Sequence, residues 1–150
     1  MDTLKSFLIE KGYSFFKLQK AYSNHFVIKA KINGVKGRFI IDTGASNSCV
    51  GLEEIALFKL NLEQTDKKAA GAGSTNIKTQ IASQNILKIK RFIIPDLTLV
   101  VIDLSHINTA LIEHKTNPIN GILGADILKE YKGIIDYDYK ALYLKTQSEL

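Results

Sequence analysis

The strongest constraint on this chain is a pair of apolar stretches joined by a two-residue turn and ending on an acid. Phe26, Ile28, Ala30 and Ile32 alternate with Val27, Lys29 and Lys31, the period of a half-buried strand. Asn33-Gly34 then marks a hairpin, because these residues accept the positive φ angles of a tight turn between twisted strands. The return strand, 36–41, delivers Asp42 into Thr43-Gly44-Ala45-Ser46, and the chain resumes an apolar course at Cys49-Val50. A buried strand thus presents a carboxylate from a turn. Its glycine allows close backbone approach, and its threonine hydroxyl can bond locally.

The rest of the chain is sized for one domain. A length of 150 residues supports a real core but not two lobes. Hydrophobic residues at 45% and charged residues at 23% are the proportions of a soluble globular protein. No apolar run is long enough to span a membrane. The patch Phe7-Leu8-Ile9 is too short and too closely flanked by charge for a signal peptide, so a cytoplasmic location is expected, with no membrane partner. A single cysteine, Cys49, excludes an intrachain disulfide and reads as a small buried hydrophobe. His25, His106 and His114 stand in no patterned relation to it that would suggest a catalytic thiol.

The net charge of +5 includes two local concentrations, Lys29/Lys31/Lys36 and Lys88-Ile89-Lys90-Arg91. Both interleave with apolar residues as the solvated face of a strand does. They hold almost no aromatics for base stacking, so nucleic acid is not an expected partner.

Leu4, Phe7, Leu8 and Lys11 have helical spacing, with Gly12 as a stop. Residues 13–18 read as extended, and 52–60 as either a short helix or irregular chain. Around Gly71-Ala72-Gly73-Ser74 the residues are small and glycine-hinged, without the Gly-Lys-Ser/Thr ending of a phosphate loop. Strands are expected over 77–81, 86–94 (ended by Pro95-Asp96) and 97–102, the last buried on both faces. A helix with Ser105 as its cap follows, broken at Thr116-Asn117-Pro118. Residues 134–137 and 141–144 form a closing hairpin around 138–140.

A second motif, Ile119-Asn120-Gly121-Ile122-Leu123-Gly124-Ala125-Asp126, precedes a short helix that Gly133 can end. Asp126 fits the first turn of that helix, where a carboxylate meets the positive end of the dipole. Together with residues 32–46, this motif resembles the retropepsin-type aspartic proteases, and in particular their small single-lobe bacterial members. The resemblance spans about residues 25–144. It implies a mostly β fold: a closed-barrel single lobe with one short C-terminal helix, to which the sequence adds an N-terminal helix. The domain expected is 25–150, after an N-terminal extension over 1–24.

The resemblance further implies an aspartic endopeptidase in which Asp42 is catalytic and Thr43, Gly44, Ala45 and Ser46 form the active-site loop. Ile122-Leu123-Gly124 would be the structural apolar-apolar-glycine element, and Gly71, Ala72, Gly73 and Ser74 would belong to a substrate-covering flap. An ordinary flexible loop is the plain alternative for 71–74. Such catalysis needs two carboxylates sharing a proton, yet the chain has one Asp-Thr-Gly and no Asp-Ser-Gly. A homodimer acting on a peptide or protein substrate is therefore expected. No cofactor or metal is called for, and no His-Glu-x-x-His or Cys/His cluster is present to hold one. The alternative is a catalytically silent peptide-binding or scaffold domain on the same fold.

Overall fold

The computed structural model describes residues 3–21, 23–63 and 79–146. Thr3 and Ser6 cap α1 (Leu4–Glu10) reciprocally, each side chain accepting the other's backbone N–H. Gly12, at φ 95°, turns the chain into β1 (Tyr13–Lys17) and β2 (Gln19–Lys20). Next comes the hairpin of β3 (Phe26–Ile32) and β4 (Val35–Ile41), in register from Phe26↔Ile41 to Ile32↔Val35. Asn33 and Gly34 take φ values of 51° and 85°, as the turn chemistry requires. β5 (Cys49–Gly51) leads into one 3-10 turn, Leu52–Glu54, and irregular chain that buries Phe58 completely. The two readings for 52–60 each hold in part: a short 3-10 helix over Leu52–Glu54, then irregular chain.

The remaining elements are β6 (Leu62–Glu63), β7 (Gln80–Ile89), β8 (Phe92–Ile102), α2 (Ser105–Glu113), β9 (Gly121–Leu123), α3 (Ala125–Glu130), β10 (Ile134–Asp136) and β11 (Ala141–Lys145). Six strands close on themselves in the order β3-β4-β9-β5-β8-β7. Pairing of β7 with β3 at Lys31↔Lys88 and Ile32↔Leu87 completes the ring. The interior is filled by one face of each strand, including Phe39, Val50, Leu87, Leu99 and Leu123. Ile40 points the other way and packs with Leu111 and Ile119, near α2. A second sheet, β1-β11-β10, joins the N-terminal strand to the closing hairpin. Leu8 of α1 packs there with Ala141 and Tyr143. The mostly β closed barrel with short terminal helices is the architecture expected.

Local details depart from expectation for identifiable reasons. Residues 86–94 are not one strand, because the chain reverses at Lys90 (φ 53°) and Arg91 between β7 and β8. Pro95-Asp96 does not end a strand; it lies inside β8 at a bulge. The ladder gains one residue on β7 near Gln84 and one on β8 near Asp96, so the two irregularities cancel in register. Gln84 and Asp96 absorb the distortion at φ 61° and 56°, and Pro95, with no N–H, sits where the ladder is interrupted. The stretch 97–102 alternates between buried and more exposed positions, rather than being buried on both faces. Ser105 is the first residue of α2, and the carboxylate that accepts its N–H is Asp103, at 2.8 Å. After α3 the left-handed residue is Lys132 (φ 53°), one position before Gly133.

Asn85 makes the double bulge tolerable. It is 2% exposed, and its Nδ2 donates to the carbonyls of Ala82 and Leu97 at 2.9 and 3.1 Å. Its Oδ1 accepts from Asn33 Nδ2 at 3.0 Å, tying the β3–β4 turn to the bulge. Asn85→Ala strips partners from all three groups. The expected cost is about 2–3 kcal/mol, read as a lowered urea midpoint at unchanged m value; a cost below about 0.5 kcal/mol would contradict this account.

Candidate active site

Asp42 stands one residue beyond β4, and its position is fixed by a strand far away in sequence. β4 pairs in parallel with β9 through Phe39↔Gly121, Ile40↔Ile122 and Ile41↔Leu123. The Asp42 N–H continues that ladder by donating to the Leu123 carbonyl at 3.0 Å. The turn closes when the Ala45 N–H donates to the Asp42 carbonyl at 3.2 Å. Ala45 is held in turn, since its carbonyl accepts the Ala125 N–H at 2.7 Å. Within this frame the Gly44 N–H donates to Asp42 Oδ1 at 2.9 Å. The carboxylate is oriented by its own turn and half-buried at the barrel's rim.

Two glycines make the approach possible. A Cβ on Gly124 would lie 2.5 Å from the Ala45 carbonyl oxygen, and one on Gly121 would strike the carbonyl oxygen of Cys49. Of the expected site residues, Asp42, Thr43, Gly44 and Ala45 share one turn with Ile122-Leu123-Gly124 packed beside it. Thr43 is exposed and borders an open depression of about 500 Å³ together with Ala125, Leu128 and Ile135. Ser46 is exposed farther along the loop. Gly71, Ala72, Gly73 and Ser74 lie outside the described residues.

Asp126 occupies the first turn of α3, as expected of a structural carboxylate. Both its oxygens are engaged. Oδ2 accepts the Ser48 N–H at 2.9 Å, while Oδ1 accepts the Ser48 hydroxyl at 2.7 Å and the Ile127 N–H at 2.9 Å. The fully buried Ser48 hydroxyl also accepts the Gly124 N–H at 2.9 Å. The sequence reading missed Ser48; its only signal is a hydroxyl placed directly before the apolar pair Cys49-Val50. Asn120 was likewise given no role. Its Oδ1 accepts the Arg38 N–H at 2.8 Å, its N–H donates to the Arg38 carbonyl at 2.7 Å, and its carbonyl accepts the Gly51 N–H at 3.1 Å. Burial raises the Glu54 pKa, against the opposing effect of its hydrogen bond to Asn120.

Cys49 is buried between β8 and β9, and desolvation pushes its pKa up to about 11. The nearby Asp126 and Asp42 charges raise it further, against a lowering by its backbone hydrogen bond at Ile122. It is a packing residue, not a nucleophile. A disulfide reagent at mildly alkaline pH should find roughly a hundredfold less thiolate than at an ordinary cysteine, with fast reaction only after unfolding. Rapid native-state labelling would contradict this. Ser48→Ala should cost about 2 kcal/mol in urea unfolding, because it leaves the Asp126 carboxylate and Gly124 N–H short of partners. Asp42→Asn should be close to neutral, since an amide oxygen still accepts from Gly44.

The chain shares its family and its fold with known proteins. A family profile described as aspartyl protease matches residues 28–127, which include the Asp42 loop and β9. Among solved structures, a retropepsin-like aspartic protease from Rickettsia conorii superposes with a TM-score of 0.53 at 22% identity, over 89% of this chain and 90% of that one. The retroviral protease-like domain of Ddi1 from Leishmania major gives a TM-score of 0.54 at 17% identity, covering 83% and 95%. EIAV protease complexed with the inhibitor HBY-793 gives 0.56 at 21%, covering 77% and 95%. No curated protein matches the sequence. The closed barrel is retropepsin-like, and with two thirds of its length matched by the family profile, the chain belongs to the aspartyl protease family.

Proposed function

We propose that this protein is an aspartic endopeptidase that acts as a homodimer, with Asp42 of each copy forming the catalytic pair. One observation carries the reading: a strand-end carboxylate held by a strapped Asp-Thr-Gly turn, with Asp126, the other acid of the two motifs, fully occupied by Ser48 and Ile127. A lone carboxylate cannot serve as both the base and the acid of peptide hydrolysis. A twofold axis beside Thr43 would supply the second. The depression bordered by Thr43, Ala125, Leu128 and Ile135 offers the partner a largely apolar surface there.

In this mechanism the ionised carboxylate removes a proton from water, and the resulting oxygen nucleophile attacks the peptide carbonyl carbon. The protonated partner carboxyl gives its proton to the carbonyl oxygen, producing a tetrahedral diol. Collapse of the diol breaks the C–N bond as the proton taken from water passes to the amine. One diol hydroxyl meanwhile gives its proton to the partner carboxylate and becomes the new carbonyl, restoring the singly protonated pair. The Gly44 N–H steadies Asp42 throughout. Thr43 contacts its counterpart across the axis, and Ala45 and Ser46 shape the loop. The substrate is an extended peptide bound by backbone hydrogen bonds. The protease domain is 25–150, 1–24 extends it, and the cytoplasm is the proposed location.

The test is peptide-library cleavage from acidic to neutral pH at several protein concentrations. Specific activity should rise with concentration as the dimer fills. It should show a bell-shaped pH profile, because only the singly protonated pair is competent. Asp42→Asn should lose at least about 10²–10⁴-fold, and an excess of this variant mixed with wild type should suppress activity by forming mixed dimers. Full activity in Asp42→Asn would overturn the assignment. Peptide binding without cleavage by either protein would favour the silent binding domain.

A further inference from the structure

The outward face of β4, β3 and β7 plays no part in the Asp42 site. Lys36 and Arg38, Lys29 and Lys31, and Lys88 and Lys90 line an open groove of about 530 Å³ there. Register makes the crowding direct. Lys29 stands opposite Arg38, and Lys31 stands opposite Lys36 on one side and Lys88 on the other. Like charges directly opposite in a ladder weaken it. No carboxylate lines the groove among the described residues. The Arg38 guanidinium donates to the Pro118 carbonyl, at 3.3 Å, and Glu54 reaches Asn120 at the margin. Three repulsive pairs on one sheet face are a cost to folding that an anionic partner would offset.

We infer that this groove docks an acidic stretch of polypeptide in extended conformation. Basic residues two apart on β3 (Lys29, Lys31) and on β4 (Lys36, Arg38) repeat at about 6.6–6.8 Å, the spacing of alternate side chains on an extended peptide. No aromatic side chain lines the groove to stack a base. Ile93, half-exposed and opposite Lys88, offers the apolar contact that a peptide can use and a phosphate backbone cannot. Docking here is independent of whether Asp42 cleaves anything.

The experiment is fluorescence anisotropy of a short labelled peptide of alternating Glu and Ala, at low and at physiological salt. The protein is compared with Lys29→Glu/Lys31→Glu and with a charge-matched reversal in α1 and at its C-cap, Lys5→Glu/Lys11→Glu (the α1 variant). Binding should be salt-dependent, weaken at least about tenfold in the groove variant and change less than about twofold in the α1 variant. The groove variant should also melt about 3 °C higher, because reversing the charge at both β3 positions turns all three like-charge pairs, with Arg38, Lys36 and Lys88, into opposite-charge pairs. Equal loss in both variants would reduce the effect to net charge and overturn the inference. So would absence of peptide binding, or tighter binding of a DNA duplex than of the peptide. Asp42→Asn should bind the peptide like wild type, which separates this test from that of catalysis.

Discussion

Everything at the site rests on a backbone contact between segments 82 residues apart in the chain, where Asn120 and Arg38 exchange hydrogen bonds and β9 enters beside β4. Parallel strands cannot be joined by a short turn, so this pairing is non-local by necessity. Once made, it extends by one bond to the Asp42 N–H and fixes where the carboxylate stands. The close approach has a steric condition, met by Gly121 against Cys49 and by Gly124 against Ala45. A methyl group at either would push the second motif away from the loop it holds.

Two clusters of polar side chains obey the same logic. Buried Ser48 and half-buried Asp126 bring hydroxyl, amide and carboxylate together, with the Asp126 oxygens and the Gly124 N–H each supplied with a partner. Asn33 and Asn85 do likewise where the β3–β4 turn meets the double bulge. A network of this kind adds little net energy when complete but is costly when broken, so each one makes a single arrangement far better than its neighbours. That rigidity is what the proposed catalytic role of Asp42 requires.

The N-terminal segment belongs to the same mechanical unit as the C-terminus. β1 adds to β11 on the side opposite β10, and Leu8 of α1 closes over Tyr143. The remaining apolar residues of α1, Leu4, Phe7 and Ile9, are about half-exposed. Amphipathic spacing thus produced the helix while only one of its apolar residues entered a core. Periodicity reports that a helix has an apolar side; the neighbouring elements decide how much of that side is covered.

By itself the sequence determined the elements whose geometry is local. Asn33-Gly34 dictated the hairpin, alternation dictated which face of β3 is buried, and the Asp42-Thr43-Gly44 turn after an apolar strand marked the candidate site. The closed barrel was legible because two motifs with a shared family pattern bracket the strands between them. Tertiary structure alone decided the partners. Ser48 carries no pattern that announces a bond to Asp126, and Asn120 none that announces Arg38. Residues 86–94 look continuous in sequence although the chain reverses inside them, and Asn85, buried against a distant turn, stabilises the bulges that let it continue past Pro95. Local propensity acts over a few residues, whereas these contacts exist only after the barrel closes and brings remote backbone groups within hydrogen-bonding reach.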